Sequence, residues 1–305
     1  MVRKRDFFHT GLDVSRSELA NMRMPNPTGA DDFYVDGNVG ATGDGSLNYP
    51  FKTLLEAITA SDVSIASVDN RWWARRNRIF AMGDALAETL VKFPTKCDVI
   101  GVGSYDANTM PGLIGHHVPV GESYGTRFYN IKFNAVAAAA PIITISSAAA
   151  GMEFHGCVFD GTAGTMTIGL QNTASHSMVV NDCDFIGTFV TSYITYGTGE
   201  GGRARITNNR MLGTAAKGIV IGGGMTATWA PIIDNNIIHA AGNCIQDSSD
   251  LWFITNNRMI SDATVALAEG AGGIACNELF ASGNKIGGKD TVLNADYPFV
   301  IQLTS

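Results

Sequence analysis

A six-residue pattern recurs seven times between residues 126 and 288, and it constrains the fold more than any other feature of this chain. Most copies, here called repeat segments, have apolar residues at the first and sixth positions. The residues at the fourth position are Ile131, Cys157, Cys183, Asn209, Asn236, Asn257 and Asn284. The differences between these positions are 26, 26, 26, 27, 21 and 27 residues. A period of this size indicates a solenoid, a propeller or a repeat array.

Each repeat segment is predicted to contain two strands joined by a tight bend. Successive side chains of a strand point in opposite directions, so the first and sixth positions of an uninterrupted strand would face opposite sides. A bend at the third and fourth positions returns both to one interior, and the asparagines found there in the later copies tolerate the left-handed backbone. A further strand is predicted upstream in each repeat, at residues 142–145, 166–170, 193–196, 218–221, 244–245 and 265–267.

Three short strands per repeat favour a parallel β-solenoid, and the fold class is predicted to be all-β. A propeller blade needs four strands in roughly 40 residues, and a leucine-rich repeat needs regularly spaced leucines, so neither fits. Stacked rungs lie about 4.8 Å apart, and equivalent side chains then fall above one another. The consequence is a predicted internal asparagine ladder of Asn209, Asn236, Asn257 and Asn284.

Stacked three-strand coils with an asparagine ladder resemble the right-handed parallel β-helix of the pectin-lyase-like superfamily. The N-terminal third is similar to that superfamily's opening strand, glycine loop, capping helix and first coils, at residues 33–37, 43–46, 50–58, 79–84, 88–90 and 99–103. The resemblance covers residues 32–288 and implies three-strand coils with a short N-terminal capping helix. The same fold carries pectinolytic enzymes, phage tailspikes and passive virion parts, so it implies no single activity.

Two parts of the chain are predicted: a docking arm at residues 1–31 and one β-helix domain at residues 32–305, with its cap at 32–60. The arm is expected to bind a partner or a neighbouring subunit, and its candidate docking residues include Arg3, Lys4 and Arg5; the alternative is a frayed terminus. In the cap, Leu54, Leu55 and Ile58 are expected to cover the open end of the coil stack. An uncapped solenoid would expose its apolar core and its strand edges.

Residues 69–78 form the one dense basic and aromatic cluster, with Trp72 and Trp73 at its centre. One interpretation is that the rings stack on sugars or bases, or that the cluster docks an anionic partner. The other is that the tryptophans cover the first coil and the arginines lie on its rim. The net charge of −7 argues against general nucleic-acid binding.

Composition and termini predict a protein made in a cytoplasm and not inserted in a membrane. No run of 18 apolar residues is present, which argues against a membrane span. The basic first residues are not followed by a hydrophobic segment, so no secretion signal is predicted.

Five cysteines at wide spacing argue against a disulfide framework. Cys157 and Cys183 share one column of neighbouring coils, which leaves open a disulfide or a pair of buried thiols. No metal or cofactor site is predicted, because His116 and His117 are adjacent and should point in opposite directions.

The combination of Asn-Thr-Asp, Asp-Asp and Gly-His-Gly motifs that marks the hydrolases of this fold is absent from the sequence, and so is a matching lyase motif. The weak candidates are Asp160, Asp182 and Asp184, which could meet on one face with His155 nearby, and Glu153 is a further acidic candidate. The alternative is that these carboxylates are bend residues and solvated outer positions.

The sequence therefore favours a virion structural protein of a tailed phage, a decoration, spike or fibre component with a passive assembly or host-attachment role. The tailspike resemblance implies a homotrimer, with other virion proteins bound through the arm and host-surface glycan as a further partner. The alternative is a polysaccharide-degrading enzyme, a lyase or hydrolase acting on bacterial surface glycan.

Overall fold

The computed structural model describes residues 30–67, 75–83, 85–103, 110–119, 123–136, 139–146, 149–173, 177–197, 204–222, 231–249, 252–262, 266–269, 281–287 and 301–302. Within these ranges the chain is all-β with a single helix, α1 (Leu54–Ala66). None of the helical structure in these ranges is long and apolar enough to cross a membrane.

The strands of the first half are β1 (Asp32–Asp36), β2 (Asn77–Met82), β3 (Ala85–Ala87), β4 (Cys97–Gly101), β5 (Gly112–Ile114), β6 (Ser123–Tyr124), β7 (Arg127–Tyr129), β8 (Lys132–Asn134), β9 (Ile143–Ile145), β10 (Ala149–Ala150), β11 (Met152–His155), β12 (Val158–Asn172) and β13 (Met178–Asn181). The strands of the second half are β14 (Asp184–Tyr196), β15 (Arg205–Thr207), β16 (Arg210–Met211), β17 (Thr214–Ile221), β18 (Ile232–Asp234), β19 (Ile237–Ala240), β20 (Ile245–Asp247), β21 (Phe253–Thr255), β22 (Arg258–Ser261), β23 (Leu267–Glu269), β24 (Ala281–Ser282), β25 (Lys285–Gly287) and β26 (Ile301–Gln302).

Two long parallel sheets hold most of these strands. The ten-stranded sheet runs β1-β2-β4-β7-β11-β13-β15-β18-β21-β24, and the fourteen-stranded sheet runs β26-β25-β22-β19-β16-β14-β12-β8-β5-β3 with β9, β17, β20 and β23 joined beside this path. Equivalent positions of consecutive repeat segments pair directly, as in Phe154 with Val180 and Phe159 with Phe185. This parallel, solenoid-like arrangement is compatible with a parallel β-helix.

The third residue of all seven repeat segments adopts a left-handed backbone, with φ between 54° and 68°. These residues are Asn130, Gly156, Asp182, Asn208, Asn235, Asn256 and Gly283. Glycine, asparagine and aspartate are the residues that reach this region at least cost, so the predicted bend and its residue types agree. The bend turns the chain from one sheet to the other.

Side chains at the first and sixth positions fill the interior in two columns of phenylalanines. Phe128 stacks on Phe154 at 5.4 Å between ring centroids, and Phe159 stacks on Phe185 at 4.6 Å. The two columns meet edge to face, as in the 64° angle between Phe154 and Phe159. All four rings are fully buried, which confirms that both positions face one core.

The helix α1 closes the N-terminal end of the sheets. Thr53 and Glu56 form a capping box, and the Glu88 carboxylate accepts hydrogen bonds from the Leu54 and Leu55 backbone N–H groups at 2.6 and 3.0 Å. Leu54 and Ile58 are buried as predicted, but Leu55 is 44% exposed, and its predicted capping role is wrong. The core-facing stripe is Leu54, Ala57, Ile58, Ser61 and Ile65, because helical neighbours on one face are three or four residues apart.

Two strands are longer than the sequence predicts. Residues 158–172 and 184–196 form the continuous strands β12 and β14, where two separate strands are expected in each repeat. Register shifts between β12 and β14 mark the corner, between Gly161 and Met166 and between Met166 and Ile168. The corner is therefore turned by bulges within a strand, which bend a strand without ending its pairing.

Candidate functional site

The innermost polar feature is a file of buried asparagines at the fourth position of the last four repeat segments. The Asn236 side chain accepts hydrogen bonds from the Asn209 backbone N–H and Nδ2, both at 2.9 Å. Its own Nδ2 donates to the Ile206 carbonyl and to Asn257 Oδ1, also at 2.9 Å. Asn257 and Asn284 repeat the pattern, and all four asparagines are at most 2% exposed. The file satisfies the backbone groups that each bend leaves without a strand partner.

Cysteines continue this file in the two preceding repeat segments. The Cys157 and Cys183 thiols donate to the carbonyls of Phe128 and Phe154, each at 3.5 Å, which is the same bond that the asparagine Nδ2 makes further along the chain. Both cysteines are free and fully buried. Burial raises the pKa of the Cys183 thiol well above its usual value. The structure therefore favours the stacked-thiol alternative over a disulfide.

We expect the buried thiols of Cys97, Cys157, Cys183 and Cys244 to resist a thiol-specific reagent in the native protein at neutral pH. Burial raises the pKa of Cys97 and Cys244 as well, and the thiolate is the reactive form. Labelling should be done in a Cys276→Ser background, because Cys276 lies outside the described residues. Four thiols should react once denaturant is added. Fast labelling of the native protein would contradict their burial. A protein mass lower by two hydrogens than that of the four-thiol form would show a disulfide instead.

Two of the three candidate carboxylates share one face, and the third does not. Asp160 and Asp184 both lie on the outer face of the fourteen-stranded sheet, where Asp160 pairs with Ile186 and Asp184 pairs with Val158. They are therefore diagonal neighbours on adjacent strands. Asp182 lies in the bend itself, with φ of 56°, and belongs to neither strand.

The surroundings of Asp160 and Asp184 shift the pKa values of the two carboxyl groups in opposite directions. Asp160 bonds to Lys132 Nζ at 2.8 Å and to the Thr162 N–H and hydroxyl at 2.8 and 2.6 Å. Burial opposes ionisation, but these hydrogen bonds hold the pKa of Asp160 below its usual value. Burial raises the pKa of Asp184, although the Arg210 guanidinium lies 3.7 Å away and opposes the shift. One carboxylate is thus held ionised while its neighbour is pushed toward the neutral form.

Substitution of these two aspartates by asparagine is expected to act in opposite directions on stability. Asp160 has a lowered folded pKa, so its stabilisation is present above the unfolded pKa and is lost as pH falls through the folded pKa. Asp184 has a raised folded pKa, so ionisation destabilises the fold as pH rises from the unfolded to the folded value. At neutral pH, Asp160→Asn should lower the free energy of unfolding by about 1–2 kcal/mol, whereas Asp184→Asn should leave it unchanged or raise it.

Urea denaturation of both variants at neutral pH and at a pH below the aspartate range measures these effects. The two variants should differ most at neutral pH and converge in acid, because both wild-type carboxyl groups are then protonated. A loss of stability of equal size in both variants would contradict the assigned environments.

Glu153 and His155 lie on a different sheet from Asp160 and Asp184, contrary to the expectation that His155 lies near these aspartates. Both residues belong to β11 in the ten-stranded sheet, whereas Asp160 is in β12 of the fourteen-stranded sheet. Their side chains form a separate cluster in which Glu153 Oε2 accepts from His155 Nε2 at 2.9 Å and pairs with Arg127 Nε at 3.2 Å. The His155 ring stacks on Tyr129 at 5.0 Å and 13°.

The charged groups of this second cluster pair with one another. The hydrogen bond from His155 lowers the pKa of Glu153 together with the charge of Arg127, although burial opposes both. Stacking covers one face of each ring, which leaves Tyr129 and His155 less ring face for a sugar. The signal for the ion pair was present in the sequence, since Arg127 and Glu153 are 26 residues apart, the period of the repeat.

The histidine pair is separated as expected. His117 is fully buried, accepts the Leu90 N–H at Nδ1 at 3.1 Å and has its pKa lowered to about 4 by burial. His116 Nδ1 contacts the Pro141 carbonyl instead. The parts of the chain that the structure describes hold no group of three or more His, Cys, Asp or Glu that could bind a metal ion.

No family model, curated protein or solved structure matches this chain. What each site can do chemically is therefore inferred from the residues that form it. Five predicted docking residues, Arg3, Lys4, Arg5, Trp72 and Trp73, lie outside the described residues.

Proposed function

We propose that this chain is a right-handed parallel β-helix of the pectin-lyase-like type that serves as a structural or host-attachment protein of a tailed-phage particle. The observation that favours this role most is the pairing of outer charges within the chain on the first rungs. Arg78 pairs with Asp32 at 2.7 Å, Arg76 with Asp98 at 2.9 Å, and Lys132 with Asp160 at 2.8 Å. Charges paired in this way suit a surface that packs against a partner rather than one that carries out chemistry.

The internal polar file supports the same role. Hydrogen bonds run from Cys183 through Asn209, Asn236 and Asn257 to Asn284 without a break, so five rungs are tied along the stacking direction. A rod with this continuous internal bonding suits a component that bears mechanical load. In this proposal the protein is a homotrimer located in the virion and made in the host cytoplasm, and residues 1–31 dock on other virion proteins.

Particle association tests the proposal. The protein should co-sediment with purified phage particles and be labelled on them by antibody under electron microscopy. Light scattering after size exclusion should give a stable oligomer in solution. A monomer that never associates with particles would overturn the structural role.

A second candidate function is polysaccharide degradation, and the opposed environments of Asp160 and Asp184 favour it. A hydrolase needs one carboxyl group kept protonated as the acid and a second kept ionised. Asp184, whose pKa is raised, would be the acid, and Asp160 the carboxylate. However, Asp160 is only 6% exposed and already binds Lys132 and Thr162, which restricts its access to a sugar.

Incubation with a panel of bacterial surface polysaccharides decides between the two candidates. Degradation would release new reducing ends or unsaturated products, and Asp184→Asn would abolish the release while leaving the fold intact. Simple glycan binding would give retention on immobilised polysaccharide with no product. Absence of product from every polysaccharide would remove the enzymatic candidate.

A further inference from the structure

The capping helix α1 has apolar side chains on both of its faces. One face packs on the core, as described above. On the opposite face Leu55 is 44% and Val63 is 66% exposed, and Thr59 and Ala66 are exposed as well. These four residues are three or four positions apart, so they lie on one side of the helix and are here called the outer stripe.

The two charged residues of α1 are both engaged away from the outer stripe. Glu56 Oε2 accepts a hydrogen bond from the Thr53 N–H at 3.0 Å, which holds this carboxylate in the capping box. Asp62 accepts from the Thr95 N–H at 3.0 Å and pairs with Lys92 Nζ at 2.6 Å. A surface helix carries charged and polar residues on the face away from the core, whereas a helix that is apolar all round is buried. The outer stripe therefore has the composition of a face that another element covers.

The chain enters the described structure beside this helix. The Asp31 carboxylate accepts a hydrogen bond from Ser64 Oγ of α1 and pairs with Arg75 Nη2 at 2.8 Å. The Asp31 backbone N–H donates to Asn77 Oδ1 at 3.0 Å, and its carbonyl accepts from the Arg78 N–H at 3.0 Å. Side chain and backbone together fix Asp31 next to the last turns of α1. The segment that precedes Asp31 in the chain therefore starts at the C-terminal end of the outer stripe.

Residues 1–29 lie outside the described residues, and their sequence contains an apolar pattern of helical spacing. Its positions are four, three, four and three residues apart and are here called the arm stripe: Phe8, Leu12, Ser15, Leu19 and Met22. This spacing is typical of a helix face that packs on another helix. As a helix, residues 8–22 would be about 22 Å long, and α1 is about 20 Å long. Pro25 and Pro27 follow, and proline ends a helix.

We propose that residues 8–22 form a helix that packs on the outer stripe of α1 in the same chain. Packed helices have axes about 8–10 Å apart. Residues 25–30 span about 20 Å when extended, so the connection is long enough to place the arm stripe over the outer stripe. A connection of this length is also within the usual range between packed helices.

The tether favours the chain's own segment over that of a second copy. A segment joined by a short linker has an effective concentration in the millimolar range at its binding site, far above that of a separate chain in dilute solution. Arg3, Lys4 and Arg5 precede the arm stripe and stay available for the docking proposed above. The inference rests on α1 and on the anchoring of Asp31, and not on the virion role.

Thiol labelling of the full chain tests whether the outer stripe is covered. Val63→Cys is made in the Cys276→Ser background, where the remaining described cysteines are buried. A maleimide should label it about tenfold or more slowly than Val190→Cys, whose valine is 54% exposed on β14. Leu19→Asp should restore fast labelling of Val63→Cys and leave Val190→Cys unchanged, because a carboxylate is costly to bury in the arm stripe.

Cross-linking identifies the covering segment. Ser15 and Thr59 are near the middle of the two stripes, so they lie opposite each other whichever way the helices run. A chain carrying both Ser15→Cys and Thr59→Cys should be joined within itself by a short bis-maleimide, which spans the separation of packed helices. Ser15→Cys combined with Val190→Cys is the matched control and should give no product within the chain.

Three results would overturn the proposal. Equal labelling rates for Val63→Cys and Val190→Cys would show that the outer stripe is bare. Slow labelling of Val63→Cys that Leu19→Asp leaves unchanged would assign the cover to a different element. Cross-links that join two chains, rather than two positions of one chain, would assign it to a second copy.

Discussion

Asn236→Leu is expected to lower the free energy of unfolding by about 3–5 kcal/mol, although leucine is close to asparagine in size and enters an apolar interior. The asparagine side chain accepts two hydrogen bonds from Asn209 and donates two, to the Ile206 carbonyl and to Asn257. Leucine leaves these partners buried without a bond, and each unsatisfied group costs about 1–3 kcal/mol. The hydrophobic gain of the leucine side chain does not offset several such losses.

Chemical denaturation measures the change, and Asn235→Gly is the matched control. Asn235 is the adjacent residue of the same bend, but its side chain is exposed and its backbone is left-handed at φ 54°. Glycine adopts that backbone freely, so this variant should lie within about 0.5 kcal/mol of wild type. Equal effects of the two substitutions would contradict a structural role specific to the internal file.

The spacing of the repeat was sufficient to predict which residues stack. Because side chains of a parallel ladder recur at the repeat period, the positions of Asn209 and Asn236 in the sequence place them on adjacent rungs. The bend was predictable as well, since few residue types adopt a left-handed backbone. These features depend on local geometry repeated many times, which is the kind of information a single sequence contains.

Features that depend on the angle between strands were not predictable. Apolar periodicity cannot distinguish a corner from a bulge, and so the continuous strands β12 and β14 were expected as separate pieces. The same limit applies to the candidate site. His155 and Asp160 are five residues apart, but the left-handed bend at Gly156 sends them to different sheets. His155 and Asp160 are close in sequence but not neighbours in the fold, because the bend lies between them.

The burial of individual charged side chains could not be predicted from the sequence either. Asp160 and Asp184 follow the same alternation, yet Asp160 is bonded to Lys132 and Thr162, whereas Asp184 has an arginine nitrogen at the longer distance of 3.7 Å. The difference arises because Thr162 belongs to the corner of β12, whose path the repeat does not specify. Opposite pKa shifts on one face therefore follow from the packing of the corner.

Phe159→Ala is expected to lower the free energy of unfolding by about 3–5 kcal/mol. Phe159 is fully buried and stacks on Phe133 at 5.4 Å and on Phe185 at 4.6 Å, with Phe154 edge-on at 5.7 Å. Removing the ring leaves a cavity between two stacked rungs that cannot collapse without bringing the sheets out of register. Phe253→Ala is the control, because that ring lies partly exposed on the outer side of β21 and should cost about 1 kcal/mol.

The damage from Phe159→Ala should be local, because each rung of a solenoid contacts only its neighbours. Hydrogen exchange should show the largest loss of protection in β8, β12 and β14, which carry Phe133, Phe159 and Phe185. Strands β1 and β21, each four rungs from β11 in the ten-stranded sheet, should retain most of their protection. A uniform loss throughout the chain would instead mean that the rungs unfold as one cooperative unit, and that the phenylalanine columns couple the whole length of the stack.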